Sequence, residues 1–196
     1  MPRPPRREDI LVAARRLLEE RGFHGLRLED IADAAGVSRQ AIYMHYKSKT
    51  GLLLAVVDRA DRDEGLLDLK EKVWASATAA AALERYAELV ATLTPRVHRL
   101  GMVLYSARDD DPAADAAWRD RVGSRYRTCQ RLIEWLDREG ALHPRWSPTE
   151  ANDLLWALTS TPFYDDLTVQ RGWPNDRYAT GLADLLKHTL LDPTKT

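Results

Sequence analysis

The chain has 196 residues, of which 44% are hydrophobic and 30% are charged, so it holds enough apolar side chains for a packed interior. This composition excludes a wholly disordered polypeptide, and no apolar run approaches the roughly 20 residues of a membrane-spanning helix. The first residues lack the apolar stretch of a signal peptide, so we expect a soluble, cytoplasmic protein. The single cysteine, Cys129, excludes an internal disulfide and a cysteine-cluster metal site, and we expect no metal and no cofactor.

Charge is unevenly distributed along the chain. Residues 1–50 carry ten Lys and Arg residues against seven Asp and Glu residues, a net charge of +3, whereas residues 51–196 carry 19 against 23, a net charge of −4. A basic segment attached to an acidic body indicates that this segment alone meets a polyanion, although so small an excess also serves solvation.

Apolar residues recur at helical spacing throughout, and neither a persistent strand alternation nor an Asn-Gly or Asp-Gly hairpin occurs. Gly22 and Gly36 end the first two predicted helices, and Ser38 caps the third. Asp111-Pro112 and the capping box Ser147–Glu150 mark two later helix starts. In chain order the predicted helices cover residues 7–21, 29–35, 39–45, a long stretch from 49, 83–93 (ended by Pro95), 97–104, 112–139, 148–161 and 175–190. The sequence therefore predicts an all-α fold of about nine helices.

Two short helices joined by Ala35-Gly36-Val37-Ser38 form the pattern of a helix-turn-helix, in which the second helix projects from its scaffold. A projecting helix fits the major groove of duplex DNA, where the base edges present a distinct set of donors and acceptors. After the turn, side chains with hydrogen-bond donors follow without an intervening acid: Arg39, Gln40, Tyr43, His45, Lys47 and Lys49. This stretch predicts a surface that faces phosphate.

Three runs in this region form one motif: Ile10-x-x-Ala13-Ala14-x-x-Leu17-Leu18-x-x-x-Gly22-Phe23, Ile31-Ala32-x-x-Ala35-Gly36-Val37-Ser38 and Ile42-Tyr43-x-His45-Tyr46-x-Ser48-Lys49-x-x-Leu52-Leu53. On these residues, positions 10–54 resemble the DNA-binding domain of the TetR family of transcriptional repressors. The rest of the chain resembles that family in its length and helical character, and in the pair Gly172-Trp173 before the last helix. The resemblance implies a helix-turn-helix DNA-binding domain over residues 1–50 and a ligand-binding and dimerisation domain over residues 51–196.

Three places depart from the family's pattern. The family often has Thr where Arg27 stands, a small residue followed by Thr where Gln40 and Ala41 stand, and an acid where Thr50 stands. Arg27 has no hydroxyl with which to cap a helix, but its guanidinium can hold a phosphate directly. All three departures leave the hydrophobic frame intact, and the first two change which bases or phosphates can be contacted.

The resemblance and the side-chain chemistry together assign DNA contacts, since Arg pairs with guanine and Gln with adenine. Three residues are expected to reach base edges: Arg39, Gln40 and Tyr43. Four are expected to hold backbone phosphates: Arg27, Ser38, His45 and Lys49. The alternatives are packing roles for Tyr43 and His45 and a solvated Lys47. An N-terminal arm of Arg3, Arg6 and Arg7 enters the minor groove or forms a solvated terminus.

One helix-turn-helix reads a half-site, and a specific operator usually needs two of them about 34–36 Å apart. We therefore expect a homodimer, and the resemblance implies that the last two long helices build an intermolecular four-helix bundle. The interface candidates are Leu154, Leu155, Leu158, Tyr178, Leu182, Leu185 and Leu186. The alternative is that these side chains form ordinary core within one chain.

The chain has six Trp and seven Tyr against two Phe. Trp and Tyr combine an apolar ring with a polar tip, which suits the wall of a pocket better than a dry core. By resemblance, a small-molecule effector binds in the middle of the chain, and the candidate residues are Trp74, Met102, Tyr105, Trp118, Tyr126 and Cys129. Plain core packing is the alternative for each. Ligand is then expected to change the tilt of the fourth helix, on which Gly51 and Gly65 are placed, and to release DNA.

These expectations combine into a ligand-released repressor that binds a palindromic DNA operator as a homodimer. A helical DNA-binding adaptor without a ligand is the first alternative. An enzyme is the second, and two observations count against it: the five His residues are scattered without a metal-binding pair, and no Gly-rich phosphate loop occurs.

Overall fold

The structure is a computed structural model that describes residues 7–195. Ten α-helices lie in this range, with a π-helical turn over Asp166–Gln170 after the ninth. Their bounds are Arg7–Arg21 (α1), Leu28–Ala35 (α2), Arg39–Tyr46 (α3), Lys49–Asp63 (α4), Leu66–Trp74 (α5), Ala79–Ala107 (α6), Pro112–Arg138 (α7), Pro148–Leu158 (α8), Thr161–Asp165 (α9) and Asn175–Leu190 (α10). The described residues contain no β-strand, so the predicted all-α class is confirmed. Within residues 7–195, each helix falls short of the length or the apolar character that crossing a bilayer demands.

Two of the predicted helix starts are confirmed by their capping hydrogen bonds. Asp111 Oδ1 accepts hydrogen bonds from the backbone N–H groups of Ala113 at 2.8 Å and Ala114 at 3.2 Å, at the start of α7. Ser147 and Glu150 form a reciprocal capping box before α8. In both cases a side-chain oxygen satisfies N–H groups that the first helical turn leaves without a partner.

The structure divides some helices differently from the sequence prediction. α6 runs through Pro95 as one helix, although that proline was expected to end it. Proline removes one N–H donor at a cost of about 3 kcal/mol, and α6 buries side chains before and after it, including Leu93 and Leu100. Conversely, the predicted long fourth helix is two helices, because Gly65 adopts a φ of +76° between them. Gly65 therefore lies outside α4, and its placement on the fourth helix was wrong.

The chain forms two compact units, each made of two segments. The first unit contains Met1–Asp63 and Arg99–Arg121, and the second contains Glu64–His98 and Val122–Thr196. α6 and α7 each contribute residues to both units. The functional boundary expected at residue 50 stays a prediction.

Each unit has its own apolar core. In the first unit, α1 to α4 bury the apolar positions of the sequence motif, among them Ile10, Leu17, Leu18, Ile31, Ile42, Leu52 and Leu53. In the second unit the buried cluster includes Leu83, Leu132, Ile133, Leu155, Leu182 and Leu186. The first core fixes the position of α3, because Ile42 is part of it.

Candidate nucleic-acid interface

α3 presents one face to the core and the others to solvent. Ile42 and Tyr46, four residues apart, are only 2% and 5% exposed and anchor the helix. The Tyr46 hydroxyl also donates a hydrogen bond to the backbone carbonyl of Arg7 at 2.7 Å, which ties α3 to the start of α1. The remaining faces of α3 expose these side chains: Arg39, Gln40, Tyr43, Met44 and His45.

The turn before α3 is tight because Gly36 adopts a φ of +66° at the end of α2. The Gly36 N–H donates to the Asp33 carbonyl at 3.2 Å, and the Val37 N–H donates to the Ala32 carbonyl at 3.0 Å. Ser38 then accepts a hydrogen bond from the Ala41 N–H at 3.2 Å and starts α3, as predicted. These local contacts orient α3 relative to α2.

Arg39, the first residue of α3, is held from two sides. Its Nη1 lies 2.7 Å from Glu29 Oε1, and its guanidinium carbon lies 5.8 Å from the centre of the Tyr43 ring. Tyr43 and, to a lesser degree, Glu29 raise the pKa of Arg39, so the group remains a cation. The side chains of Arg39 and Glu29 are 56% and 55% exposed, which places the pair at the protein surface.

Lys49, at the start of α4, has an acidic partner in Asp111, the capping residue before α7. Its Nζ lies 2.8 Å from Asp111 Oδ2 and 4.1 Å from the centre of the Phe23 ring. Burial raises the pKa of Asp111, but the hydrogen bonds from Lys49 and from two backbone N–H groups lower it by more. Asp111 is therefore a carboxylate at neutral pH.

The remaining predicted phosphate contacts also lie on this surface. Arg27 precedes α2 in an extended conformation, and its side chain makes no capping hydrogen bond, as its lack of a hydroxyl predicted. His45 is exposed in the last turn of α3. A cavity of about 230 Å³ is lined by Arg27, Arg39 and Lys49 together with Glu29 and apolar side chains. The structure thus brings three of the predicted DNA-contacting cations to one depression.

The predicted N-terminal arm is described only in part. Arg3 and Arg6 lie outside the described residues. Arg7 is exposed at the start of α1, with its guanidinium carbon 5.2 Å from the centre of the Tyr46 ring.

Three residues of this surface escaped the sequence prediction. Met44 is 77% exposed. The sequence signal that could have identified it is an apolar side chain in α3 that does not share the buried face of Ile42 and Tyr46. Glu29 and Asp111 are the acidic partners of the cations described above. No local pattern identifies them, because each contact joins two different helices.

The six candidate pocket residues are divided between the two units. In the first unit, Tyr105 and Trp118 pack edge to face at 5.1 Å between ring centres, and Met102 is half-buried. In the second unit, the Trp74 ring lies 4.1 Å from the guanidinium carbon of Arg131, and the Tyr126 ring packs against Trp156 at 6.3 Å. Cys129 is fully buried, with its Sγ 3.3 Å from the Tyr86 hydroxyl. Their role as pocket walls stays a prediction.

The seven candidate interface residues also separate into two groups. Four are at most 2% exposed in the single chain and belong to the core of the second unit: Leu155, Tyr178, Leu182 and Leu186. Leu154 and Leu158 are half-buried, and Leu185 is 38% exposed. A side chain that is already buried offers no surface to a second copy, so Leu154, Leu158 and Leu185 are the members of the set that can be contacted.

Comparison with known proteins agrees with the helix-turn-helix geometry. Residues 10–56 match the family model of the bacterial regulatory proteins of the tetR family. The chain is 44% identical over 59 residues to the HTH-type transcriptional activator FasR of Mycolicibacterium smegmatis, a match that covers 30% of this chain and 27% of FasR. It is 39% identical over 64 residues to the HTH-type transcriptional regulator AcrR of Shigella flexneri, covering 33% of this chain and 30% of AcrR. The chain therefore matches less than a third of the length of these curated relatives.

Two solved structures resemble nearly the whole chain. NalD, the secondary repressor of the MexAB-OprM multidrug efflux pump in Pseudomonas aeruginosa, has a TM-score of 0.75 and 27% identity, covering 95% of this chain and 96% of NalD. A transcriptional regulator from Saccharomonospora viridis in complex with choline has a TM-score of 0.75 and 25% identity, covering 95% of this chain and 97% of that regulator.

The ten helices and the exposed α3 define an all-helical protein with an N-terminal helix-turn-helix. Residues 10–56 carry the helix-turn-helix that the bacterial regulatory proteins of the tetR family share, and the likeness to NalD extends over 95% of the chain.

Proposed function

We propose that this chain is a transcriptional repressor that binds a palindromic operator as a homodimer and leaves it when a small molecule binds. One observation carries the proposal: α3 is anchored by Ile42 and Tyr46 and presents Arg39, Gln40 and Tyr43 to solvent. A helix with this arrangement enters the major groove without any loss of its own core packing.

The proposed base contacts follow from side-chain chemistry. Arg39 pairs with guanine O6 and N7, and Gln40 with adenine N6 and N7, each pair giving about 1–3 kcal/mol of discrimination. Tyr43 and the exposed Met44 offer apolar surface to thymine methyl groups.

The proposed phosphate contacts surround these base contacts. Arg27 and Lys49 supply charge, the exposed His45 supplies a ring N–H, and Ser38 supplies its hydroxyl while its oxygen caps α3. The net charge of +3 in residues 1–50 favours approach to DNA by this end of the chain.

The homodimer is proposed because one copy of α3 reads only a half-site. Leu154 and Leu158 on α8 and Leu185 on α10 supply apolar surface in the second unit. Burial of these side chains between two copies follows the family arrangement of paired α8 and α10 helices.

The effector is proposed from the fold and from the aromatic side chains of α6 and α7. The regulator from Saccharomonospora viridis was solved in complex with choline, and its structure resembles 95% of this chain. We expect a small molecule to contact some of the six candidate pocket residues and to shift the protein to a state with low operator affinity.

The test is selection of bound duplexes from a random pool by the full chain. We expect a palindrome whose half-sites are about one helical turn apart, about 34–36 Å between centres. Arg39→Ala is expected to relax one position in each half-site, whereas Arg27→Ala weakens all sequences alike and lowers the salt slope by about one. Arg138→Ala, at the end of α7, removes the same charge as a control.

Failure to enrich any sequence, or enrichment of a sequence without two-fold symmetry, overturns the proposal of a dimeric operator reader. The ligand step is tested separately with metabolites that raise the melting temperature of the protein. An operator affinity that stays unchanged at saturating concentrations of such a ligand overturns ligand release and favours the adaptor without a ligand.

A further inference from the structure

Lys49 and Asp111 are 62 positions apart in the sequence and form one ion pair in the first unit. Lys49 Nζ donates to Asp111 Oδ2 at 2.8 Å, and the two side chains are 37% and 27% exposed. Partial burial leaves this contact less screened by salt than a fully exposed pair. Asp111 is therefore bound to the ammonium group that the proposed function assigns to a DNA phosphate.

Asp111 is held firmly in this position. Its Oδ1 accepts hydrogen bonds from the N–H groups of Ala113 and Ala114, while its Oδ2 faces Lys49. The carboxylate cannot turn away from Lys49 without leaving the first turn of α7 uncapped. These capping hydrogen bonds hold the Asp111 carboxylate beside Lys49.

Lys49 Nζ lies over the Phe23 ring, 4.1 Å from the ring centre. A phosphate that approaches this ammonium group is attracted by Lys49 and repelled by the carboxylate next to it. The repulsion offsets part of the attraction, so Lys49 attracts a phosphate less strongly while Asp111 is charged.

We propose that Asp111 is an intramolecular brake on DNA binding, a carboxylate that competes with backbone phosphate for Lys49. The inference rests on the proposed function and adds a regulatory residue to it. Phosphates carry no sequence information, so the brake lowers the affinity for all duplexes alike and leaves the sequence preference unchanged.

The decisive variant is Asp111→Asn, because Asn caps a helix as well as Asp does and carries no charge. The probe is a fluorescent duplex of mixed sequence about 30 base pairs long, or about three helical turns, titrated with the full chain. At about 50 mM salt we expect Asp111→Asn to bind about threefold to tenfold more tightly than the wild type. The slope of log K against log salt is expected to steepen by about 0.9, the value for one additional phosphate contact.

Asp109→Asn is the matched control. Asp109 lies two residues before Asp111, its side chain is 76% exposed, and it pairs with Arg108 at 3.4 Å. Its substitution changes the net charge by the same amount, and we expect the affinity to change by less than about twofold. Asp111→Ser, which also keeps a capping oxygen, is expected to behave like Asp111→Asn, and melting temperatures verify that α7 remains capped.

Lys49→Gln completes a double-mutant cycle with Asp111→Asn. In a chain that carries Lys49→Gln, the further change Asp111→Asn has no cation to release. The brake is overturned if Asp111→Asn binds no more tightly than Asp109→Asn, or if it tightens binding equally in the Lys49→Gln background. Binding by the wild type without a gain in Asp111→Asn overturns the brake alone. If neither the wild type nor Asp111→Asn binds duplex at low salt, the proposed function is overturned and the brake with it.

Discussion

The carboxylate of Glu29 and the guanidinium of Arg39 lie 2.7 Å apart, so the first residue of α3 is joined to α2 across the turn. Both side chains are more than half exposed, and a pair of this kind contributes little to folding. An arginine reads guanine only when two of its N–H donors align with O6 and N7. The guanidinium group has five N–H donors, so one of them can stay bonded to Glu29. We therefore regard Glu29 as a positioning residue for Arg39.

Glu29→Ala is expected to reduce base discrimination at the operator position that Arg39 reads, by about threefold to tenfold, because the guanidinium loses its fixed direction. Competition binding with duplexes altered at each half-site position measures this loss. Asp33→Ala, an exposed acid on the same helix, is the matched control for charge. An equal loss of discrimination in both variants would contradict the positioning role.

Gly51 is required by the close approach of α4 to the end of α3. A Cβ at this position would overlap the backbone carbonyl oxygen of Tyr46, and a backbone atom yields less readily than the end of a flexible side chain. We expect Gly51→Ala to lower the free energy of unfolding by about 1–3 kcal/mol, in contrast to the usual gain from Gly to Ala inside a helix.

Gly123→Ala is the control for this prediction. In α7 a Cβ at Gly123 would meet only the Arg127 side chain, at 3.6 Å, so the substitution is expected to stabilise the protein by about 0.5–1 kcal/mol. Urea denaturation followed by circular dichroism measures both values. Equal effects of the two substitutions would show that the Tyr46 carbonyl does not constrain Gly51.

Tyr178 and Tyr164 pack edge to face in the second unit, at 4.9 Å between ring centres, but their hydroxyl groups differ. Among residues 7–195 the buried Tyr178 hydroxyl has no hydrogen-bond partner, whereas the Tyr164 hydroxyl donates to Asn175 Oδ1 at 2.8 Å. Tyr178→Phe is therefore expected to raise the free energy of unfolding by about 1 kcal/mol, and Tyr164→Phe to lower it by about the same amount. Chemical denaturation decides the sign, and destabilisation by Tyr178→Phe would contradict the structure.

Tyr178 also affects how the stability of the protein depends on alkaline pH. Burial raises the pKa of Tyr178, and it raises the pKa of Tyr86 and Cys129 as well. As the pH rises, these groups keep their protons in the folded protein after the unfolded chain has lost them. Their contribution to the free energy of unfolding is therefore fully present below the ordinary pKa values of 9.0 for Cys and 10.0 for Tyr, and it is lost at higher pH. The free energy of unfolding of Tyr178→Phe is expected to fall less than that of the wild type between about pH 9 and pH 11.

Leu185 tests the proposed homodimer because it is 38% exposed on α10. Leu185→Glu is expected to raise the dimer dissociation constant by about tenfold or more, since a carboxylate would be buried at the interface. Leu67→Glu places the same charge on α5, where Leu67 is 61% exposed, and is expected to leave the oligomeric state unchanged. Sedimentation velocity measures both, and dissociation by Leu67→Glu alone would place the interface elsewhere.

The local signals in the sequence predicted the elements of the site. Gly36 and Ser38 predicted the turn and the start of α3. Pro95 was misleading because a helix tolerates one missing hydrogen bond when the residues on both sides are packed. The six candidate pocket residues could not be grouped from the sequence, because aromatic composition does not reveal which rings meet.

The sequence by itself determined the all-α class, the helix-turn-helix and the row of donors on α3, because capping, turn geometry and helical periodicity act over a few residues. Only the tertiary structure decided that Arg39 meets Glu29, that Lys49 meets Asp111, and that four of the seven candidate interface residues are buried within their own chain. These contacts join residues on different helices, and their existence depends on how the helices pack rather than on any spacing along the chain.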